Sequence, residues 1–491
     1  MPDPSPVRVR IAPSPTGFFH VGNARTAIFN WLFARRMGGT FIWRVEDTDR
    51  SRFVPEALDD QRAALDWLGI TPDEGPFTGG EHGPYMQSER LPLYTQHVDA
   101  LLDNGLAYRC FCTPERLAEV RKAREIGKLK GRYDRHCRNL SEDEIAAKRS
   151  EGARHTVRLK VPLEGVRVLT DVLRGEIAFD LTETDDPIIL KGDGWPTYHL
   201  AVVVDDEAMA ISHVLRADEW IPSAPIHLLL YEAFGWTPPV YCHVPLVLSA
   251  SGKGKLSKRE GGAEVREYRA AGYLPEAMFN YLALLGWAYS GDEEIFTPAM
   301  AAERFTLDAI KVSPAAWNAE KLDWMNGHYI RALAPDDLAT RLTPFLADAG
   351  IQASSAEVLT LVPLIQERIT TLQEAVPLVD FFWATTIAPA PADLVPNKLT
   401  PADVAANLRR TADALAAVGD ADWTAESLEA ALRALSESLG VKPGPLFQPI
   451  RVAVTGKKIA PPLFETLAVV GRDTAIERVL AAAALLDQGG A

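Results

Sequence analysis

The opening forty-five residues constrain the fold most. Val7 to Ala12 is a short β-rich run that stops at Pro13-Ser14-Pro15-Thr16-Gly17. A helical pattern follows, with Ala24, Ala27, Ile28, Trp31 and Leu32 on one face and Gly38-Gly39 closing it. Phe41 to Val45 then reads as a second strand. A strand, a loop, a helix and a strand make a βαβ unit, and such units build a parallel sheet. The apolar runs Ala201 to Val204 and Val244 to Leu248 are expected as later strands of that sheet, with roughly Ser88 to Leu200 inserted before them.

A chain of 491 residues is too long for one hydrophobic core, so three or more domains are expected. From Ala334 onward Ala and Leu recur at helical spacing, as in Ala405 to Val418 and Thr474 to Leu486. The proline-rich stretch Ala388 to Ala392, with Pro396, reads as a linker between two helical subdomains. Met1 to Pro6 has no apolar core, so no secretory leader is expected, and no run reaches membrane-spanning length. Four cysteines (Cys110, Cys112, Cys137 and Cys242) are too few for a disulfide framework and fit a reducing cytoplasm.

The net charge of −15 argues only weakly against a nucleic-acid partner, because phosphates respond to local clusters of Lys and Arg. One such cluster runs through Arg121, Lys122, Arg124, Lys128, Lys130, Arg132, Arg135 and Arg138. A solvated helix face explains it equally well.

Two segments carry the chemistry. In the first, Ala12 to Asn23, two prolines stiffen the loop after the strand, and Gly17 permits a turn denied to other residues. His20 falls at the mouth of the following helix, where free amides and the positive dipole end favour an anion. Gly22, lacking a side chain, lets a flat ring lie against the helix start. In the second segment, Ser251 to Arg259, Gly and Ser leave the loop mobile and Lys255 and Lys258 can close on a polyphosphate. It is not a Walker A loop, because no Gly-Lys is followed directly by Ser or Thr. Taken singly, each segment reads first as a solvated surface turn.

Taken together, His20-Val21-Gly22-Asn23 resembles the HIGH motif of class I aminoacyl-tRNA synthetases, and Lys255 to Arg259 resembles their KMSKS loop. Arg10 to Gly17, Arg44 to Asp49, Pro196 to Leu200 and Arg216 to Trp220 resemble the glutamyl-tRNA synthetase family specifically. Trp324 to Gly327, Gln448 to Arg451 and Val454 to Gly456 extend the likeness over essentially the whole chain. Departures are Asn23 at the fourth position of the first motif and Val202 where some members have asparagine.

The resemblance implies an α/β multidomain protein with a Rossmann-like parallel-sheet catalytic domain in two halves, 1–87 and 201–262. Residues 88–200 become an inserted acceptor-binding domain and 263–334 a stem-contact domain, and two helical anticodon-binding subdomains occupy 335–385 and 386–491. It further implies a cytoplasmic, monomeric enzyme that uses ATP with Mg²⁺ to activate L-glutamate and transfers it to tRNA(Glu). Catalytic groups are then His20, Lys255 and Lys258. Arg10, Ala12, Ser14, Glu46, Tyr198 and Arg216 surround glutamate, with the arginines on carboxylates and Ser14 and Glu46 on the ammonium. Ser14, His20, Gly22, Glu219, Val247 and Lys258 surround ATP. A salt bridge from Glu46 to Arg44 or Arg50 is the structural alternative. Arg368, Gln448 and Arg451 are candidate anticodon readers. Cys110, Cys112 and Cys137, with Tyr133 or His136, match a structural zinc pattern of some members, while Asn139 at a usual ligand position favours free thiols. Other readings are an enzyme charging both tRNA(Glu) and tRNA(Gln), a shortened paralogue, a glutaminyl enzyme, and an inactive tRNA-binding protein. Chain length and the helical C-terminal part disfavour the second and third.

Overall fold

The computed structural model describes residues 6–127, 133–256 and 264–488. The chain divides into two compact units, Met1–Tyr268 with Pro275–Ala319, and Arg269–Leu274 with Glu320–Ala491.

The first unit opens with β1 (Arg8–Ile11), α1 (Val21–Met37) and β2 (Thr40–Trp43), and the two strands pair in parallel from Arg8↔Thr40 to Ile11↔Trp43. The helix begins where His20 caps its free amides and ends at Gly38, whose φ of 61° stops it in the left-handed region. Arg35 and Arg36 sit in the last turn, where the dipole favours cations. At Gly39 a Cβ would lie 2.2 Å from the Val7 carbonyl oxygen, so only glycine lets the chain cross back beside β1.

Next come α2 (Glu56–Trp67), α3 (Leu91–Asp103), β3 (Ala107–Cys110), α4 (Pro114–Ile126) and α5 (Glu142–Ser150). Strands β4 (Thr156–Leu159), β5 (Val166–Asp171), β6 (Gly175–Asp180) and β7 (Ile188–Leu190) follow. After them lie α6 (Tyr198–Ala208), β8 (His213–Ala217), α7 (Ala224–Phe234), β9 (Val240–Val244) and β10 (Val247–Leu248). The larger sheet has the order β6-β5-β9-β8, parallel at β5–β9 and β8–β9, with β6 folding back as an antiparallel hairpin. The amide of Ser212, next to β8, donates to the Arg8 carbonyl at 3.0 Å, which sets β1 beside β8. Strands β3, β4 and β7 form a separate antiparallel sheet, so residues 88–200 contain both that sheet and two strands of the larger one.

The expectation of a strand at Ala201 to Val204 is corrected: these residues lie in α6. All four are buried, packed with Tyr94, Val98 and Leu230. A short run apolar on every side carries no periodicity, so a fully buried helix and a buried strand look alike in sequence. The run Val244 to Leu248 likewise splits between the end of β9 and β10.

The second unit is helical. Its core includes Leu408, Leu415, Leu432, Ile450, Leu467 and Val479. The helix expected from Ala405 begins at Pro401, because Thr400 and Asp403 form a capping box around its first turn. The helix expected over Thr474 to Leu486 spans Arg472–Gln488. Within the expected linker, Pro391–Leu394 forms one helical turn whose Leu394 joins the core. Among the described residues, no helix is long and apolar enough to cross a membrane.

Candidate active site

A cavity of about 320 Å³ lies where β1 and β8 end and α1 begins. Open parallel sheets bind ligands at the carboxyl ends of their strands, because helix N-termini gather there. β1 and its exit supply Arg10 and Ala12, and the start of α1 supplies His20 and Gly22. Glu46 comes from beyond β2, Tyr198 from α6, and Arg216 and Glu219 from β8 and its exit. Val247 and Lys255 close the remaining side. Ser14 is exposed and outside this lining, and its carbonyl accepts from Gln61 Nε2 at 3.4 Å. Lys258 lies outside the described residues.

His20 is extended at φ −81°, and its Nδ1 accepts from the Gly22 amide at 3.0 Å. An amide only donates, so Nδ1 holds the lone pair and the neutral ring carries its proton on Nε2. The side chain thereby caps α1 and presents a donor at the same helix end. A Cβ on Gly22 would stand 3.3 Å from His20 Nδ1, so glycine leaves the ring its position.

The cations divide into two kinds. Arg10 grips Asp206 through Nε at 3.0 Å and Nη2 at 3.2 Å. Arg44 reaches the same carboxylate at 2.6 Å and Glu46 at 3.1 Å, so the salt bridge weighed for Glu46 is present. Burial opposes the Arg10 charge most strongly, yet Asp206 outweighs it and the pKa rises. Burial likewise works against ionised Asp206, but Arg10 and Arg44 prevail and hold its pKa below the ordinary value. At Glu46 burial wins over Arg44 and Arg10, and the pKa is raised. With Arg90 on Asp205 at 2.7 Å, three guanidinium groups (Arg10, Arg44, Arg90) balance three carboxylates (Asp205, Asp206, Glu46).

Arg216 differs. It donates to Tyr198 Oη at 3.1 Å, His243 Nε2 at 3.0 Å and His227 Nδ1 at 3.3 Å, all uncharged acceptors. Its buried Nη2 has no acceptor, and no carboxylate pairs with it among the described residues. A buried charged donor left unsatisfied is costly, and a ligand carboxylate would relieve it. Burial raises Tyr198 to about 12, keeping its hydroxyl protonated.

Arg25, also in the lining, is buried and donates to the Pro245 carbonyl and to the Leu285 carbonyl at 3.2 Å. Burial lowers its pKa to about 10, with the charge of Asp218 opposing. Lys255, also in the lining, pairs with both Glu219 oxygens at 2.9 Å, half exposed, and the Leu256 amide bonds the Val247 carbonyl at 3.0 Å.

Sequence reasoning missed Arg25, Asp206, His227, His243 and Asp171. For Asp206 a signal existed: two acids directly follow the apolar run Leu200 to Val204, and a buried acid requires a partner. His243 and Asp171 meet only through strand pairing and His227 joins them from helix α7, which leaves no local mark.

Away from the cavity, Cys112 Sγ and Cys137 Sγ are 3.6 Å apart, and the thiols of Cys110, Cys112 and Cys137 all lie within 4.8 Å of one another. Tyr133 Oη is 3.3 Å from Cys110 Sγ and 3.6 Å from Cys112 Sγ, whereas His136 contributes no ring contact to the group. In the second unit Arg368 is exposed in the turn after helix Ser355–Ile365. Gln448 and Arg451 are a turn apart on helix Pro443–Thr455, and Arg451 Nε is buried without a partner. From the basic cluster, Arg135 and Arg138 engage Asp186 at 3.3 and 2.7 Å, while Lys128, Lys130 and Arg132 lie outside the described residues.

Residues 6–324 match the family described as tRNA synthetases class I (E and Q), catalytic domain, and residues 337–483 match an anticodon binding domain. The chain is 48% identical to the glutamate–tRNA ligase of Chloroflexus aurantiacus, covering 98% of each chain. It is also 48% identical to that of a Dehalococcoides mccartyi strain, covering 98% of this chain and 99% of the relative. Among solved structures it resembles a glutamate tRNA ligase from Elizabethkingia meningosepticum in complex with its amino acid, with a TM-score of 0.85, 32% identity and coverage of 98% and 99%. A parallel sheet ending at a histidine-capped helix, a helical second unit and likeness along the full length agree, and the chain belongs to the glutamate and glutamine family of class I tRNA synthetases.

Proposed function

We propose that this protein is a glutamate–tRNA ligase that activates L-glutamate with ATP and transfers the glutamyl group to tRNA(Glu). The observation that carries the reading is the meeting of His20 at the start of α1 with the unfilled guanidinium of Arg216 in one cavity. The first site suits a phosphate, the second a carboxylate.

In the first step an oxygen of the α-carboxylate bonds to the α-phosphorus of ATP, and the bond to the β-phosphate oxygen breaks with its electron pair leaving on pyrophosphate. His20 donates from Nε2 to the α-phosphate as charge spreads over it. Lys255 leaves Glu219 to follow the pyrophosphate, together with Lys258. Gly22 leaves room for the adenine, and Glu219 and the Val247 backbone border the adenosine. The nucleotide phosphates would carry Mg²⁺, which would neutralise part of their charge. The two carboxylates in the lining, Glu46 and Glu219, are engaged with Arg44 and Lys255, which supports a metal carried by ATP. Arg216, with Tyr198, receives one glutamate carboxylate, and Arg10 offers the second through Nη1, the nitrogen Asp206 does not engage. Glu46 takes the ammonium beside Ala12, and the assignment of exposed Ser14 to the same ammonium rests on family likeness. In the second step a hydroxyl of the terminal adenosine attacks the activated carbonyl and releases AMP.

The thiol spacing supports a structural zinc on Cys110, Cys112, Cys137 and Tyr133: tetrahedral zinc with bonds of about 2.3 Å spaces its sulfurs by about 3.8 Å, beside the 3.6 Å between Cys112 and Cys137. Such an ion would cross-link the end of β3 to the segment around Cys137. Exposed Arg368, with Gln448 and Arg451, reads the anticodon. We read the enzyme as a cytoplasmic monomer, in keeping with four free thiols.

The test is charging of tRNA(Glu) and tRNA(Gln), assayed separately with ATP, Mg²⁺ and labelled glutamate. Attachment to tRNA(Glu) alone supports the reading, and Arg368→Ala should then admit tRNA(Gln). Attachment to both removes Arg368 as a discriminator, and attachment to neither overturns the assignment.

A further inference from the structure

Three neighbouring strands place a chain of buried polar groups behind Arg216. The β8–β9 register sets Arg216 opposite His243, and the β5–β9 register sets Asp171 opposite Tyr241. The carboxylate of Asp171 has two receiving edges, both in use. Oδ1 accepts from the Leu173 and Arg174 amides at 3.0 and 3.1 Å, and Oδ2 from the His243 amide at 2.9 Å and ring Nδ1 at 2.7 Å.

These contacts determine a tautomer. A carboxylate can only accept, so the ring proton of His243 sits on Nδ1. A guanidinium can only donate, so Nε2, 3.0 Å from Arg216 Nε, carries the lone pair. His227 obeys the same logic: Nδ1 accepts from Arg216 Nη1 at 3.3 Å, and Nε2 faces His199 Nδ1 at 3.2 Å. Burial foremost lowers the pKa of both His243 and His227, so both rings are neutral acceptors. The guanidinium also lies over the Tyr241 ring, 5.3 Å from its centre, and that ring is parallel to His243 within 3°.

A carboxylate in direct contact with Arg216 would hold it equally well but would spend its charge, as Asp206 does for Arg10. We propose that Asp171 and His243 are positioning residues for the reaction: Asp171 locks the His243 imidazole, which holds Arg216 in place by accepting alone and leaves its charge for the substrate carboxylate. This rests on the reading of Arg216 as a carboxylate receptor. It assigns the strand β5, outside the cavity lining, a part in glutamate selection.

The experiment compares steady-state charging by Arg216→Gln, His243→Phe and His243→Gln with the parent enzyme. Phenylalanine retains a ring against Tyr241 but accepts nothing, whereas glutamine offers an acceptor and a donor. For His243→Phe the KM for glutamate should rise about ten-fold, as for losses of other orienting partners. The KM for ATP should stay put, and His243→Gln should recover most of the loss. A raised KM in Arg216→Gln with an unchanged one in His243→Phe overturns the positioning role alone. An unchanged KM in Arg216→Gln overturns both it and the receptor reading. Should His243→Phe fail to fold, ¹⁵N NMR of histidine-labelled parent protein decides. A neutral His243 protonated at Nδ1 supports the proposal, and one protonated at Nε2 overturns it.

Discussion

Replacing Asp206 with asparagine changes one oxygen to an amide and nothing in shape, yet it should destabilise the first unit by about 3 kcal/mol. Oδ1 receives Arg10 Nε and Arg44 Nη1, and Oδ2 receives Arg10 Nη2. However the amide turns, its NH₂ faces an arginine N–H. The balance of three cations and three anions becomes three against two. Breaking a buried pair costs about 3–5 kcal/mol, and the surviving oxygen places this case at the lower end. At about 2.1 cal/mol/K of unfolding entropy per residue, a unit of roughly 310 residues shifts by about 1.5 °C per kcal/mol, so its thermal transition should fall by roughly 4–5 °C at neutral pH. Because the folded pKa of Asp206 is depressed, its stabilisation is complete above the unfolded value of about 3.9 and disappears as pH falls through the folded value. The gap between parent and variant, followed by differential scanning fluorimetry, should therefore shrink only in acid. An unchanged transition at neutral pH, or a gap that widens on acidification, would refute the balance argued for this cluster.

Gly22→Ala places a Cβ 3.3 Å from His20 Nδ1 and should lower kcat for charging, up to about 100-fold if the ring shifts by an ångström; a normal kcat would remove His20 from the phosphate. Gly39→Ala meets the Val7 carbonyl oxygen at 2.2 Å and should cost at least about 1–3 kcal/mol in urea unfolding, whereas a neutral effect would mean the crossing relaxes freely. Glu219→Gln frees a half-exposed Lys255 and should change stability by less than about 1 kcal/mol, so its consequences belong in the kinetics of pyrophosphate release. Metal analysis of purified protein should find about one zinc per chain, lost in Cys137→Ser, and a metal-free parent would leave the cysteines as free thiols.

Much of the site was legible in sequence because it is built from local segments. The strand, proline loop and histidine-headed helix of residues 8–37 are contiguous, and strand, cap and phosphate chemistry each leave a signature within a few residues. Lys255 was read from its glycine- and serine-containing loop, and Glu46, Tyr198 and Arg216 through family likeness, with a holding partner expected only for Glu46. What tertiary structure decided was the charge each residue retains. Arg10 and Arg216 are both buried arginines in one cavity, but Asp206, carried by a helix that looked like a strand, compensates the first. The second is held by His243, 27 residues on in sequence and set opposite it by strand pairing, and by His227 from helix α7. Apolar runs and caps report on their own neighbourhood. Ion pairing in the interior depends on partners from distant elements, and only packing determines which guanidinium group keeps its charge uncompensated for the substrate.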